Sequence, residues 1–329
     1  MTEGAAPFGR ILAALPTPLD ERGRLDNAAL EHLVRYFAER KLSGVTLLGE
    51  VGEGAYLDGS ERRIVVERAC KVASDGLPVY VQVGDAWTRS AVESAQHAET
   101  KGASGIILDV PPLPGVGYPE IYRHLDRVAR AVQIEVLLYI RPGGLVSALA
   151  PEEQGALAQH PRLAGAHIAG GAHASLKAWA RRFERRGAHV LAGSSFDILE
   201  LARHGATGAV CALSVLAPEP ARAMMESMRR GDVEQLRRVR KRMAPAMERM
   251  GPPRGADARG SVEKLAERLA QRPLDGGGLR PFAPPALLKE GLRLQGHRIK
   301  AFVRPPQPQI TDEERTRLEA LMRSCGMLA

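Results

Sequence analysis

Short apolar runs alternate with longer amphipathic stretches over roughly the first 250 residues of the chain. The first amphipathic stretch, Asn27–Arg40, carries Leu30, Leu33 and Phe37 on one helical face. Each apolar run is short enough to be a buried strand, so the alternation predicts repeated βα units and a parallel sheet. The chain contains eight such runs: Ile11–Leu15, Val45–Leu48, Val79–Val83, Gly105–Leu108, Val136–Tyr139, Leu163–His167, Val190–Ala192 and Gly208–Ala212.

Eight βα units predict an α/β fold, a (β/α)₈ TIM barrel whose active site lies at the C-terminal ends of the strands. An open doubly wound sheet is the alternative, but no G-x-G-x-x-G motif follows the first apolar run. Asp26 precedes the first helix and is expected to cap it. Gly102, Gly187 and Gly205 each lie between a helix and the next strand, where a left-handed turn favours glycine.

The barrel is predicted to occupy residues 1–231, followed by a C-terminal helical extension over residues 232–329. Proline and glycine are concentrated near residues 251–285, a composition that predicts loops. The extension has four helical patterns: Asp232–Met250, Ser261–Ala270, Ala286–Gln295 and Asp312–Ser324.

The composition, with 44% hydrophobic and 26% charged residues, is that of a globular protein. No apolar run reaches the roughly 18 residues of a membrane-spanning helix, and the N-terminus lacks the pattern of a secretory signal. We therefore expect a cytoplasmic protein with no membrane partner. Cys70, Cys211 and Cys325 are far apart in the sequence, so we expect reduced, buried thiols.

The net charge of +8 raises the question of nucleic-acid binding. The basic residues are interspersed with acidic ones, and aromatic residues make up only 4% of the chain, too few for a stacking platform. The sequence thus favours a small-molecule substrate over nucleic acid as the partner.

Several segments together resemble the dihydrodipicolinate synthase / N-acetylneuraminate lyase family. In chain order they read GRILAALPTPLDERGRLD, GEVGEGAYLDGSERR, VPP, YIRP, LAGAH, PPALLKEGLRLQG and PPQPQITDEERTRLEALMRSCGML. The resemblance covers most of the chain, and residues 251–278 have no counterpart, which indicates an insertion. It implies a TIM barrel, class I aldolase or lyase chemistry without a separate cofactor, and a homo-oligomer, a dimer or a tetramer.

The resemblance also implies a lysine at the end of the sixth strand, in a motif close to G-[IV]-K-[DE], that forms a Schiff base with a 2-oxo acid. This chain has Gly165, Ala166, His167 and Ile168 there. An imidazole cannot form an iminium, because Schiff-base chemistry needs a primary amine. Lys177 is predicted on the following outer helix and Lys289 on a terminal helix, so neither replaces the missing amine.

The loop after the second strand departs from the family as well. The family usually reads G-T-T-G-E, with hydroxyls and amides that hold the substrate carboxylate, whereas this chain reads Gly49, Glu50, Val51, Gly52 and Glu53. A carboxylate at Glu50 would repel a substrate carboxylate a few ångströms away by about 4 kcal/mol at an effective dielectric of 20. Glu50 is either a general base or a solvated, salt-bridged glutamate. Glu53 is counted among the residues that line the pocket. We expect its carboxylate to anchor the loop by binding backbone amides.

Tyr139, in YIRP, matches the family's catalytic tyrosine, while the family's PPYY becomes PPLP. Tyr139 is either a proton-transfer group or a ring that only orders the pocket. The unusual Arg141 in this motif is expected to pair with Glu50 or with an anionic group of the substrate. His167 is either a buried, hydrogen-bonded core residue or a group with a direct role in binding or proton transfer, since the unperturbed pKa of histidine lies near neutrality.

The remaining candidates line the pocket. Gln82, Asp109 and Ser194 follow or end the third, fourth and seventh predicted strands. A histidine and two carboxylates, the side chains of His167, Glu50 and Asp109, could meet over the barrel mouth as metal ligands. No H-x-H or H-E-x-x-H pair in the sequence supports a metal site. We predict neither a metal site nor a cofactor.

The leading hypothesis is an enzyme of the lyase type that acts on a small organic substrate, with oxo and carboxylic acids among the candidates. His167, Tyr139 and Glu50 would form its acid–base set, with Gly49, Val51, Glu53, Gln82, Asp109, Arg141 and Ser194 lining the substrate site. One alternative is a catalytically inactive family member that binds a small molecule or has a structural role. The other is a conventional 2-oxo acid aldolase that uses a displaced lysine.

Overall fold

The structure, a computed structural model, describes residues 9–73, 76–110, 113–141, 143–169, 173–184, 187–194, 198–250 and 285–328. The predicted helix Ser261–Ala270 and the insertion 251–278 lie outside the described residues. So do the side chains of some residues at the ends of described elements, among them that of Ser194.

Eight parallel strands form a closed barrel in the order of the sequence, and β8 pairs with β1 to close it. The predicted TIM barrel is thereby confirmed. The strands are β1 Arg10–Ala14, β2 Val45–Leu47, β3 Val79–Val83, β4 Gly105–Leu108, β5 Glu135–Ile140, β6 Gly165–Ile168, β7 His189–Ser194 and β8 Gly208–Cys211.

Helices connect the strands and continue beyond the barrel. Asp26 caps the first helix by accepting a hydrogen bond from the Ala29 amide, as predicted. Gly102, Gly187 and Gly205 have φ angles of 90°, 63° and 89°, the left-handed turns expected at those positions. The helices are α1 Asn27–Glu39, α2 Gly59–Ala73, α3 Thr88–Thr100, α4 Tyr118–Arg130, α5 Leu145–Ala148, α6 Pro151–Ala158, α7 His173–Glu184, α8 Ile198–Arg203, α9 Pro218–Arg230, α10 Val233–Met250, α11 Pro285–Leu294 and α12 Asp312–Ser324.

Strand β5 begins one residue earlier than its apolar run predicts, because the polar Glu135 belongs to the ladder and pairs with Gly105. The Glu135 carboxylate accepts hydrogen bonds from the Arg10 guanidinium at 2.8 Å and from the Tyr80 hydroxyl at 2.6 Å. A polar residue with such partners can occupy a partly buried strand end, and hydrophobicity alone does not detect it.

The side chains of each strand alternate between two cores. One core fills the space between the barrel and its helices, and it also includes residues of α11 and α12. The other lies inside the barrel and consists of Leu12, Ala14, Tyr80, Ile107, Leu137, Tyr139, Leu191 and Val210. The C-terminal helices are therefore packed onto the barrel through a shared core.

The three cysteines are buried free thiols, as predicted. Burial raises the pKa of Cys70 to about 11. None of the described helices is long and apolar enough to cross a membrane.

Candidate active site at the C-terminal end of the barrel

Tyr139 and His167 are neighbours on the inner wall of the barrel. They are register partners in the β5–β6 ladder, and their rings are 5.0 Å apart between centroids. Only 3% of Tyr139 and 8% of His167 is exposed. Both residues stand near the C-terminal ends of their strands, where the reacting groups of TIM-barrel enzymes converge.

Glu50 is the third member of this group. The Tyr139 hydroxyl donates a hydrogen bond to Glu50 Oε1 at 2.9 Å. Burial, followed by the nearby Glu50 carboxylate, raises the pKa of Tyr139. The phenol therefore remains protonated at neutral pH and acts as a donor. The structure brings together all three residues of the predicted acid–base set.

Burial lowers the pKa of His167 to about 3. The shift moves the titration of this histidine away from the neutral range of an unperturbed imidazole, and no charge among the described residues offsets the effect of burial. The buried Nδ1 atom has no hydrogen-bond partner among the described residues. The ring is thus a neutral imidazole with one unsatisfied nitrogen, which departs from the usual pairing of buried polar atoms.

Gly193 on β7 makes room for the imidazole, a role the sequence reasoning missed. A Cβ atom at this position would lie 3.1 Å from His167 Nε2 and 3.0 Å from the Ala169 Cα. The only signal in the sequence is a glycine within an apolar strand, which often marks such a close approach.

Arg141 pairs with Asp109, at the end of β4, and not with Glu50 as one expectation had it. The reason is geometric: β4 and β5 are adjacent in the sheet, whereas Glu50 is already bonded to Tyr139. Burial raises the pKa of Asp109, as does the Glu50 charge, while Arg141 and the Gln82 side chain oppose this shift. The Arg141 guanidinium carbon lies 5.4 Å from the centroid of the Tyr139 ring.

Gly49, Val51 and Gln82 complete the described wall next to Glu50. A Cβ atom at Gly49 would lie 2.9 Å from Gln82 Oε1, so the absence of a side chain permits this approach. Val51 is partly buried and packs against the core inside the barrel. The side chain of Ser194 lies outside the described residues.

Side chains hold the Glu53 carboxylate in place of the backbone amides that we expect from the sequence. Its buried carboxylate forms an ion pair with Lys289 of α11 and accepts a hydrogen bond from Gln307 Nε2 at 3.1 Å. Burial raises the pKa of Glu53 and lowers that of Lys289, and their mutual attraction opposes both shifts. Lys289 Nζ also donates to the Phe302 carbonyl at 2.8 Å. Glu53 thereby ties the Glu50 loop to the C-terminal helices.

Further contacts fix the same loop. Leu48 and Glu53 have φ angles of 61° and 57°, a left-handed conformation that is unfavourable for such residues unless the surroundings hold it. The buried Thr17 hydroxyl donates to the Gly52 carbonyl at 2.6 Å. Sequence reasoning did not single out Thr17 or Gln307, and it placed Lys289 on a terminal helix without assigning it a partner. The one available signal was a lysine set between leucines in the PALLKEGL helix.

A sequence model of the Dihydrodipicolinate synthetase family matches residues 7–251. The chain belongs to this family. It is 30% identical over 245 residues to the 4-hydroxy-tetrahydrodipicolinate synthase of Acidiphilium cryptum, which covers 74% of this chain and 83% of that protein. It is 28% identical over 290 residues to the enzyme of the same name from Acidothermus cellulolyticus, covering 88% and 91% of the two chains.

Solved structures of the dihydrodipicolinate synthetase family share the fold. The prophage protein YagE of E. coli K12, in complex with pyruvate, has a TM-score of 0.80 at 21% identity and covers 97% of this chain and 99% of its own. A monomeric dihydrodipicolinate synthase variant has a TM-score of 0.78 at 21% identity and covers both chains fully. The family is one of aldolases and lyases, so the resemblance drawn from the motifs is confirmed at that level.

The lysines of this family member are few, and their positions bear on its chemistry. Lys289 is fully buried in its contacts with Glu53 and the Phe302 carbonyl. Lys264 lies outside the described residues. The other lysines are exposed: Lys41, Lys71, Lys101, Lys177, Lys241 and Lys300. Among the described residues no group of three or more histidine, cysteine, aspartate or glutamate side chains is placed to hold a metal ion.

Proposed function

We propose that the protein is an enzyme of the lyase type that removes a proton next to the carbonyl group of a small organic substrate, without a Schiff base. Elimination, addition or an aldol-type step would then follow. The observation that carries this proposal is the row of Glu50, Tyr139 and His167: the exposed Glu50 carboxylate accepts a hydrogen bond from the buried Tyr139 phenol, whose ring contacts the neutral imidazole. A base and hydrogen-bond donors are what proton abstraction next to a carbonyl needs.

Glu50 is the base in this scheme. One of its oxygens accepts the Tyr139 hydrogen bond, which orients the carboxylate and leaves the second oxygen for the substrate proton. Tyr139 remains a donor because its pKa is raised. It therefore positions Glu50 and does not compete with it for the proton.

His167 is the electrophilic partner. A neutral imidazole can donate a hydrogen bond to a carbonyl oxygen and stabilise the enolate that develops there. The low pKa of His167 supports this assignment, since the ring is neutral, and its buried Nδ1 has no hydrogen-bond partner among the described residues. In a Schiff-base enzyme an iminium would stabilise the enolate instead. A displaced lysine is not supported as its source, because Lys289 is ion-paired and the other described lysines are exposed.

Exchange of substrate protons tests this function. Hydroxyacetone, dihydroxyacetone and pyruvate are incubated with the protein in deuterium oxide, and loss of the α-proton signals is followed by NMR. We expect exchange of at least one compound, reduced about 10²- to 10⁴-fold by His167→Ala or by Glu50→Gln, because each removes a group that acts in proton transfer.

The control for the histidine change is His32→Ala, on the exposed side of α1, which should leave the exchange rate unchanged. Full exchange in His167→Ala contradicts the proposal. Absence of exchange with every compound favours the alternative of a catalytically inactive member of the family.

A further inference from the structure

The cationic group described beside Tyr139, the Arg141 guanidinium, is paired with Asp109 through Nη2, and its Nε has no hydrogen-bond partner among the described residues. The other polar side chains of this pocket wall are the exposed Glu50 carboxylate and Gln82, whose side chain hydrogen-bonds with Asp109. Val51 packs an apolar side chain against the core inside the barrel. An ionised carboxylate only accepts hydrogen bonds, and a valine side chain offers none. This wall therefore suits a ligand group that donates hydrogen bonds.

The charges on the inner ends of the neighbouring strands point the same way. Arg141 is the cation described there, and its guanidinium is engaged by Asp109. The described side chains that line this wall include two carboxylates, Glu50 and Asp109, and one cation, Arg141. They therefore carry an excess of one negative charge. A ligand carboxylate about 4 Å from Glu50 would lose on the order of a thousandfold in affinity at an effective dielectric of 20.

We propose that the pocket binds a carbonyl compound whose carbonyl carbon carries a hydroxymethyl or an aminomethyl group, and not a carboxylate. The inference rests on the proposed function, because it takes the Glu50, Tyr139 and His167 row as the substrate site. It adds the chemical class of the substrate: the group next to the carbonyl faces Glu50 as a hydrogen-bond donor. Hydroxyl and ammonium share this chemistry and differ in charge.

Three ligands of nearly equal size separate these cases. Hydroxyacetone, aminoacetone and pyruvate share an acetyl group, and its carbonyl carbon carries a hydroxymethyl, an ammoniomethyl or a carboxylate group. Their dissociation constants are measured by ligand-observed NMR titration, which requires no turnover. We expect hydroxyacetone or aminoacetone to bind at least about tenfold more tightly than pyruvate, and the tighter of the two identifies the donor.

Variants of the loop assign the preference to its residues. Glu50→Gln removes the charge with little change of shape, and Glu50→Thr combined with Val51→Thr supplies two hydroxyls. Each should shift the relative affinity toward pyruvate by about tenfold or more. Glu93→Thr, on the exposed face of α3, is the matched control and should leave all three affinities unchanged. Thermal unfolding checks that each variant is folded, and Glu50→Gln alone decides the matter if the double variant is not.

The inference is overturned if pyruvate binds the unchanged protein as tightly as the other two ligands do. It is also overturned if folded Glu50→Gln keeps the same preference among the three ligands. Lack of binding by all three ligands overturns it too. The inference and the proposed function fail separately. If hydroxyacetone or aminoacetone binds more tightly than pyruvate but no α-proton exchange occurs, only the proposed function is contradicted. If α-proton exchange occurs and pyruvate binds most tightly, only the proposed substrate class is contradicted.

Discussion

His167 shows how burial changes the chemistry of a single residue. Its position at the end of β6 suggested a group that titrates near neutrality, but the inner wall excludes water and lowers its pKa to about 3. A neutral ring is suited to donating a hydrogen bond to a carbonyl oxygen and unsuited to acting as a cationic acid. The local environment thus selects among the roles that a histidine can have.

The low pKa of His167 predicts a dependence of stability on pH. In the unfolded chain the ring takes up a proton below its ordinary value of 6.5, whereas the folded protein takes it up only near 3. The unfolded state therefore binds more protons between these values, and the free energy of unfolding falls as the pH falls, by up to about 1.4 kcal/mol per pH unit from this residue.

Urea unfolding from about pH 7 to about pH 5 checks this for the unchanged protein and for His167→Asn. The difference between the two slopes isolates His167 from the other histidines. Parallel slopes would mean that the ring is protonated equally easily in both states, which contradicts its burial as a neutral group.

Gly193 carries a second prediction at this scale. A methyl group in Gly193→Ala would meet His167 Nε2 at 3.1 Å and the backbone of β6, so the ring or the strand must shift. We expect a loss of about 1–3 kcal/mol in the free energy of unfolding and slower α-proton exchange. Gly155→Ala, in α6 with open space around it, should instead stabilise the protein by about 0.5–1 kcal/mol. Equal effects of the two changes would contradict the proposed close fit around His167.

At the scale of elements, the C-terminal helices hold the loop that carries Glu50. Lys289 of α11 and Gln307 contact Glu53, and the Arg304 guanidinium donates to the Gly23 carbonyl at 2.6 Å and also pairs with Glu61 of α2. The loop has left-handed residues that need such support. The extension therefore positions a residue of the site, although it supplies none of the described acid–base groups.

Removal of Lys289 tests this coupling. Lys289→Met leaves the Glu53 carboxylate buried without its partner, and we expect a loss of about 3–5 kcal/mol in the free energy of unfolding. Adding Glu53→Gln should restore part of it. Lys300→Met breaks the exposed pair with Glu21 and is the control, with almost no expected change. If the two lysine variants are equally stable in urea, the buried pair does not hold the loop.

The sequence predicted those elements whose signals are local. Periodicity located the eight strands to within one or two residues at most ends and predicted the helix Asp312–Ser324 correctly, as the capping preference of aspartate did for Asp26. The contacts between Glu53 and Lys289 and between Arg141 and Asp109 were missed because each joins residues distant in the chain. Their partners are chosen by tertiary packing, on which spacing and composition carry no information.

At the scale of the whole molecule, a closed barrel with an added helical layer brings side chains from several strand ends to one place. The family implies a homo-oligomer, and we expect a dimer or a tetramer in sedimentation velocity experiments. The large exposed side chain of Trp87, 63% accessible next to α3, is consistent with a surface covered by another copy. A monomer at all protein concentrations would contradict this expectation.

The central claim is that proton abstraction proceeds through Glu50, Tyr139 and the neutral His167 without a covalent amine intermediate. Reduction with borohydride in the presence of pyruvate or hydroxyacetone, followed by measurement of the intact protein mass, tests it most directly. A Schiff base would be reduced to a stable secondary amine and would add the mass of the ligand. We expect an unchanged mass under conditions in which α-proton exchange occurs. A mass increase of one ligand per chain, abolished by substitution of a lysine, would contradict it.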